Sequence, residues 1–364
     1  MGHSCVAIQT NSTLTLVSST VTLDASGIPP KPKPKPNRWR SVRNKIKHYC
    51  SYITVEPILC CYTLPYILAS IAIQNLTLQM ACKVNLGYNA SVCNDLLYSN
   101  STSVEMQVQK EVAKLLIWKR PLSTVIPAFL IMFMGSYSDR YKIRKPFLLI
   151  PLVGDFLATI GYILCTIYQA NWPMESAALF ETLFPALTGG LTAIKMATYS
   201  YVSDDSTQDM RTTRLGIVQV LSNVMSPVGN FLSGVMFRTT GYYGVFCTRM
   251  ILYLFALWYG CVIIHEPAKK MRNPMKNICV DFLDPRNVWD TFSVLFRKQS
   301  GQSRFKIVLL MLAFIIVKGS GTGESDMLFL YTRLRFQWDS ITYGFYTTYD
   351  VLVRLIGNNV TYCI

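Results

Sequence analysis

The sequence predicts an all-α membrane protein. Three observations carry that prediction: few charged residues, apolar blocks of bilayer length, and a lopsided placement of lysine and arginine. Of the 364 residues, 51% are hydrophobic and only 15% charged, against about 25% charge in an ordinary soluble domain. The apolar residues fall in eight blocks, 52–74, 115–138, 146–169, 178–202, 214–237, 243–264, 305–331 and 341–364. Each is close to the ~20 residues that span a hydrocarbon core as helix. Helix is required because lipid offers no partner to a free backbone N–H or C=O.

The net charge of +15 raises nucleic acid as a partner, but its distribution points to a lipid bilayer and to no nucleic acid. Lys31, Lys33, Lys35, Arg38, Arg40, Arg43, Lys45 and Lys47 precede the first block. Arg140, Lys142, Arg144 and Lys145 fill the second connection, and Lys269, Lys270, Lys276, Arg297, Lys298 and Arg304 lie between blocks six and seven. The opposite side holds few, among them Lys83, Lys110 and Arg238. Basic loops stay in the cytoplasm, so the N-terminus is expected there.

The expected organisation follows. Residues 1–51 form a disordered cytoplasmic N-terminus rich in proline and lysine, with the extended run PPKPKPK at 30–36. Residues 1–30 lack an apolar run, so no signal peptide is expected. Met1-Gly2 lacks the Ser or Thr of a myristoylation signal, because the sixth residue is Val6. Residues 52–264 form a six-helix bundle, 265–304 a cytoplasmic linker, and 305–364 the first part of a second bundle.

Residues 75–113 fall outside by parity. They carry three sequons, at Asn75, Asn89 and Asn100, each a candidate for glycosylation. Of eleven cysteines, Cys82 and Cys93 are the two in this oxidising compartment. A local disulfide between them is expected, although sequence alone leaves the connectivity open.

The turn after the second block reads Gly135-Ser-Tyr-Ser-Asp139-Arg140-Tyr-Lys142-Ile143-Arg144-Lys145-Pro146. Gly135 would admit a neighbouring helix, and Asp139 could hold Arg144 or a helix N-terminus, making a latch that exists in one conformation and breaks in another. This turn resembles the loop 2–3 motif of the major facilitator superfamily, with Ile143 in place of its second glycine. Further segments extend the likeness: Val55-Glu56-Pro57, Leu86-Gly87-Tyr88-Asn89 followed by Cys93, Val202-Ser-Asp204, Arg211-Thr212-Thr213-Arg214, His265-Glu266-Pro267, Leu330-Tyr331 and Trp338-Asp339-Ser340. Together, from about residue 40 onward, they resemble the proton-coupled folate transporter-like family, solute carrier family 46.

The resemblance implies a major facilitator-type fold and a secondary active transporter. Its substrate would be an anionic organic small molecule, moved by alternating access with the proton as coupling ion and no other cofactor. Gln219 stands where the folate transporter has a glutamate, Gly321 or a neighbour where it has a histidine, and Gln337 where it has a cysteine. The last departure also favours the Cys82–Cys93 pairing. Localisation follows as a multi-pass protein of the plasma membrane or of lysosomal or endosomal membranes. Oligomeric state is left open.

Charges inside spans usually face a cavity, because lipid exposure costs about 2.5–3.5 kcal/mol. Asp155, with Thr159 and Tyr162 near its face, suits a proton carrier or a permanent partner for a buried cation. Lys195, beside Thr192 and Tyr199, suits an anion or snorkels to the cytoplasm. Arg120 and Arg249 lie near span ends and could snorkel outward, and Glu56 reads as a feature of the helix start. Lys318, Glu324 and Asp326 flank three glycines in the seventh block, a pattern that predicts a broken helix lining the transport path.

The sequence contains no phosphate-cradling loop and no metal-ligand spacing, and its three histidines lie outside the spans, so no enzyme and no metal are expected. Two alternatives are a non-transporting or regulatory membrane isoform and, less favoured, a signalling receptor. Eight blocks instead of twelve also give the expectation that this form, a splice variant or incomplete gene model, does not transport alone.

Overall fold

The computed structural model describes residues 54–95, 102–266, 282, 284, 289, 303–338 and 340–363. Among them every regular element is helical and no strand occurs. The N-terminal region 1–51, most of the 265–304 linker and Asn100 lie outside the described residues.

Proline punctuates the first half of the chain. Pro57 opens α1 (Glu56–Leu68), where its missing N–H is not needed. A bend at Ala69 leads to α2 (Ser70–Met80), which a π-helical turn extends over Ala81–Asn85. The short α3 (Ala90–Asp95) precedes α4 (Thr102–Tyr141), and Pro146 opens α5 (Lys145–Ile167). Pro173 caps α6 (Met174–Thr188), which ends at Gly189, and α7 follows (Gly190–Asp205). The remaining helices are α8 (Gln208–Val262), α9 (Ser303–Phe336) and α10 (Ser340–Cys363). Within α8, Gly241 has φ 63° and ψ −162°, a conformation side chains do not tolerate, and it divides the helix into two arms.

Among the described residues five stretches are long and apolar enough to cross a membrane: Glu56–Asn85, Val104–Tyr141, Lys145–Ile167, Met174–Asp205 and Met210–Val262. Two sequence expectations change here. The exterior segment 75–113 is helical at both ends, because residues 75–85 continue the first crossing and 102–113 begin α4. Asn75, Thr77 and Gln79 lower the local hydropathy, yet all three are buried among other helices. The expected break in the seventh block is absent, since α9 runs unbroken through 318–326. Glycine weakens a helix by about 1 kcal/mol per residue but, unlike proline, removes no hydrogen bond.

Helix α5 shows how the bundle is organised. Ile150, Val153, Leu157, Ile160, Leu164 and Ile167 recur every three or four residues and are exposed. Asp155, Thr159, Tyr162 and Thr166 are buried on the opposite face. An apolar outside and a polar inside suit a helix whose surroundings are lipid. A Cβ on Gly154 would lie 2.9 Å from the Phe184 carbonyl oxygen, so α5 and α6 meet backbone to backbone. Helix α1 packs along α8, and α10 lies against the first arm of α8, where a Cβ on Gly344 would come within 3.3 Å of the Asn230 carbonyl oxygen.

Candidate functional site: a charged turn and a buried ion pair

The charged turn joins α4 to α5 at what is here termed the motif end of the bundle. Arg144, at the N-cap of α5, is buried and fully engaged. Its Nη2 lies 2.7 Å from Asp139 and 2.8 Å from Asp204 of α7, and its Nε donates to the same Asp204 oxygen at 2.8 Å. Its Nη1 donates to the Ser138 hydroxyl at 2.6 Å, and that hydroxyl donates to the Ile143 carbonyl. The first turn of α5 needs acceptors for its free N–H groups. Glu266, just beyond α8, supplies them, accepting from the Arg144 and Lys145 amides at 2.8 and 3.1 Å. The Lys145 ammonium donates to the Cys261 carbonyl. Arg140 is half-buried in the last turn of α4.

Two details of this turn differ from the sequence expectation. The left-handed residue is Lys142, at φ 53°, so Lys142 rather than Ile143 takes the conformation suited to a second glycine. Gly135 is not a point of close approach, because a Cβ there would sit 3.5 Å from the Met196 sulfur, an ordinary contact. A cleft of about 890 Å³ opens beside the turn, lined by Asp139, Lys142, Arg144, Asp204, Tyr199 and Gln219 among others. The Tyr199 hydroxyl donates to Gln219, whose amide donates to Asn223 at 3.0 Å. Lys195, half-buried, stands one helical turn before Tyr199.

A second cluster at the same end ties α1 to α7 and α8. The buried Arg214 pairs with Asp205 at 2.8 Å and lies 3.9 Å from Glu56. Glu56 also accepts from the Thr54 and Val55 amides at 2.8 and 3.0 Å, consistent with a role at the helix start.

Deeper in the bundle, α1, α5 and α8 converge on Asp155. Its side chain is only 1% exposed, and it lies 3.2 Å from the Arg249 guanidinium, itself 3% exposed. The Tyr62 hydroxyl donates to its other oxygen. The Arg249 guanidinium also lies 5.4 Å from the ring centres of both Tyr162 and Tyr253, so aromatic faces share its charge. Asp155 is therefore not a lone carboxylate, and Arg249 does not snorkel. Each is the other's charge partner inside the bundle. Sequence reasoning weighed them separately, since they stand 94 positions apart. A similar pair was missed altogether: Lys119 of α4 donates to Glu181 of α6. Arg120 beside it is exposed.

At the opposite, disulfide end, Cys82 and Cys93 are bonded, with Cα atoms 5.8 Å apart. Asn89 is exposed on the non-helical stretch before α3. Asn75 corrects its expected role as a glycan acceptor. It is 0% exposed within α2, and its side-chain oxygen accepts from Arg333 at 3.1 Å. The side chains of Lys318, Glu324 and Asp326 lie outside the described residues. Among the described residues no group of His, Cys, Asp and Glu could hold a metal ion.

Comparison with known proteins places the chain among transporters. The chain is 24% identical over 321 residues to the "Probable peptidoglycan muropeptide transporter SLC46" of Drosophila melanogaster, covering 84% of this chain and 60% of that protein. It is 21% identical over 251 residues to the "Lysosomal proton-coupled steroid conjugate and bile acid symporter SLC46A3" of Gallus gallus, covering 67% and 52%. It is 22% identical over 264 residues to the "Proton-coupled folate transporter" of Bos taurus, covering 71% and 55%. The chain thus spans between half and two-thirds of the length of these relatives. Residues 121–358, from the middle of α4 through most of α10, match the Major Facilitator Superfamily. With that match covering most of the chain, the protein belongs to the Major Facilitator Superfamily and is similar within it to solute carrier family 46.

Proposed function

We propose that this chain, against the expectation that it does not transport alone, is a proton-coupled secondary active transporter of anionic organic solutes, working by alternating access from the plasma membrane or a lysosomal or endosomal membrane. The observation that carries the reading is the buried Tyr62–Asp155–Arg249 cluster. A carboxylate at that depth is stable while its cation is present. One proton on Asp155 removes half of the pair and leaves Arg249 without its counter-charge. Helices α1, α5 and α8 then favour a different arrangement, so proton occupancy and bundle conformation are coupled. An anionic solute supplies the missing negative charge on the way through, with Lys195 and the Tyr199–Gln219 wall of the cleft as its contacts at the motif end.

In this reading α1 with α2, α4, α5, α6 with α7, and the two arms of α8 make six crossings, and α9 and α10 make two more. The motif end faces the cytoplasm, in keeping with the basic residues there, and the disulfide end faces the exterior or lumen. Support comes from the names of the relatives, two of which are proton-coupled and all of which carry solutes.

The test is solute-evoked proton movement in liposomes holding the purified chain. Saturable uptake accompanied by proton entry supports the proposal. Solute movement without protons removes the coupling. Neither movement favours the alternative of a non-transporting or regulatory membrane chain.

A further inference from the structure

Helix α9 touches the rest of the bundle in a particular way. Among its described side chains only Phe329 and Thr332 are buried. Phe329 sits edge-on to Tyr343 of α10, with ring centres 5.0 Å apart. Further back along the helix, residues from Val308 to Val317 are exposed. Arg333 stands one residue beyond the buried Thr332. Its Nε donates to Glu105 of α4 at 2.7 Å, and its Nη1 donates to Asn75 of α2 at 3.1 Å. Gln109, one turn further along α4, is buried and donates to the same Glu105 oxygen at 3.3 Å. This cluster lies at the disulfide end, whereas the cleft of about 890 Å³ lies at the motif end.

We propose that Arg333, Glu105 and Asn75 form a clasp between α9 and the first bundle that closes the disulfide end of the transport path. The proposal rests on the alternating-access reading and names a gate for it. The chemistry suits a contact made and broken in each cycle. The Arg333 and Glu105 side chains are 11% and 12% exposed, against 3% and 1% for Arg249 and Asp155. The clasp lies near the disulfide end of the bundle, so in this reading opening it rehydrates both charges instead of stranding them, as separation of the deeper pair would. Asn75 adds a neutral acceptor to a guanidinium that one carboxylate does not saturate. Closure here, with the cleft open at the other end, is the arrangement of a transporter facing the cytoplasm.

The test uses a reporter cysteine beneath the clasp, Gln109→Cys, in a Cys247→Ser/Cys261→Ser background that removes the two exposed free thiols among the described residues. Labelling by a membrane-impermeant maleimide is followed in intact and in permeabilised cells. Arg333→Gln is expected to speed labelling in intact cells about tenfold, as the loss of a charge-assisted contact implies. The exchanged pair Glu105→Arg with Arg333→Glu is expected to return it to the parental rate, which general loosening of the fold would not do. Acceleration seen only in permeabilised cells keeps the clasp and either places the disulfide end in the lumen of an intracellular membrane or reverses the assigned orientation. Equal rates for parent and Arg333→Gln in both preparations, or an exchanged pair as fast as Arg333→Gln, overturn the clasp. No transport is measured, so failure of the solute assay with a responsive reporter discards the transport reading and leaves the clasp standing.

Discussion

Replacing Arg249 by methionine removes the cation from a carboxylate that is 1% exposed and keeps only the Tyr62 hydroxyl as its charge-stabilising donor. Methionine approximates the arginine stem, so the change is mainly one of charge. Removing one partner of a buried pair destabilises by about 3–5 kcal/mol, because the surviving charge stays buried and uncompensated. At about 2–4 °C per kcal/mol for domains of 150–250 residues, this is a drop in Tm on the order of 10 °C. Asp155→Leu strands the guanidinium instead, although Tyr162 and Tyr253 soften that loss through their ring faces. The double variant Arg249→Met/Asp155→Leu leaves no stranded charge and is expected to be more stable than either single variant. Thermal unfolding of all four proteins in one detergent, followed by intrinsic fluorescence, measures the cycle. Additive losses, with the double variant the least stable, would refute the pairing as an energetic unit.

Two further predictions concern the ends of the bundle. Lys142 holds a left-handed backbone at φ 53°, which costs a side chain about 1–2 kcal/mol. Lys142→Gly is therefore expected to raise Tm by a few degrees, and a fall would show that the lysine side chain contributes more than its backbone strain. Asn89→Gln is expected to increase gel mobility by one glycan while Asn75→Gln leaves it unchanged, since Asn89 is exposed and Asn75 is buried in α2. A shift on changing Asn75 would contradict the burial.

Local features were legible in the sequence, and tertiary ones were not. The Asp139–Arg144 pair and the Cys82–Cys93 bond each join residues a few to eleven positions apart, where the chain itself limits the choice of partners. The helical class followed from hydropathy because lipid exposure writes it along every span. Hydropathy failed where polar residues face inward. Asn75, Thr77 and Gln79 look like loop yet lie buried in α2, which moved the end of the first crossing from residue 74 to 85. The glycines of α9 look like a break, but no proline enforces one. The partners of Asp155, of the α5 N-terminus and of Arg333 come from residues 94, 121 and 122, and 228 and 258 positions away. No single-sequence pattern encodes such pairings. The one available signal was the presence of opposite charges inside separate spans, which says that partners exist without saying which.

The central claim is that proton movement and solute movement are one event and that Asp155 links them. The most direct measurement places the purified chain in liposomes loaded with a pH-sensitive dye, adds anionic solutes under an inward proton gradient, and records internal pH alongside labelled solute. The account predicts that solute accelerates internal acidification, that solute accumulates while the gradient lasts, and that Asp155→Asn removes both together. Solute accumulation without acidification, or an Asp155→Asn chain that still couples the two, would contradict it.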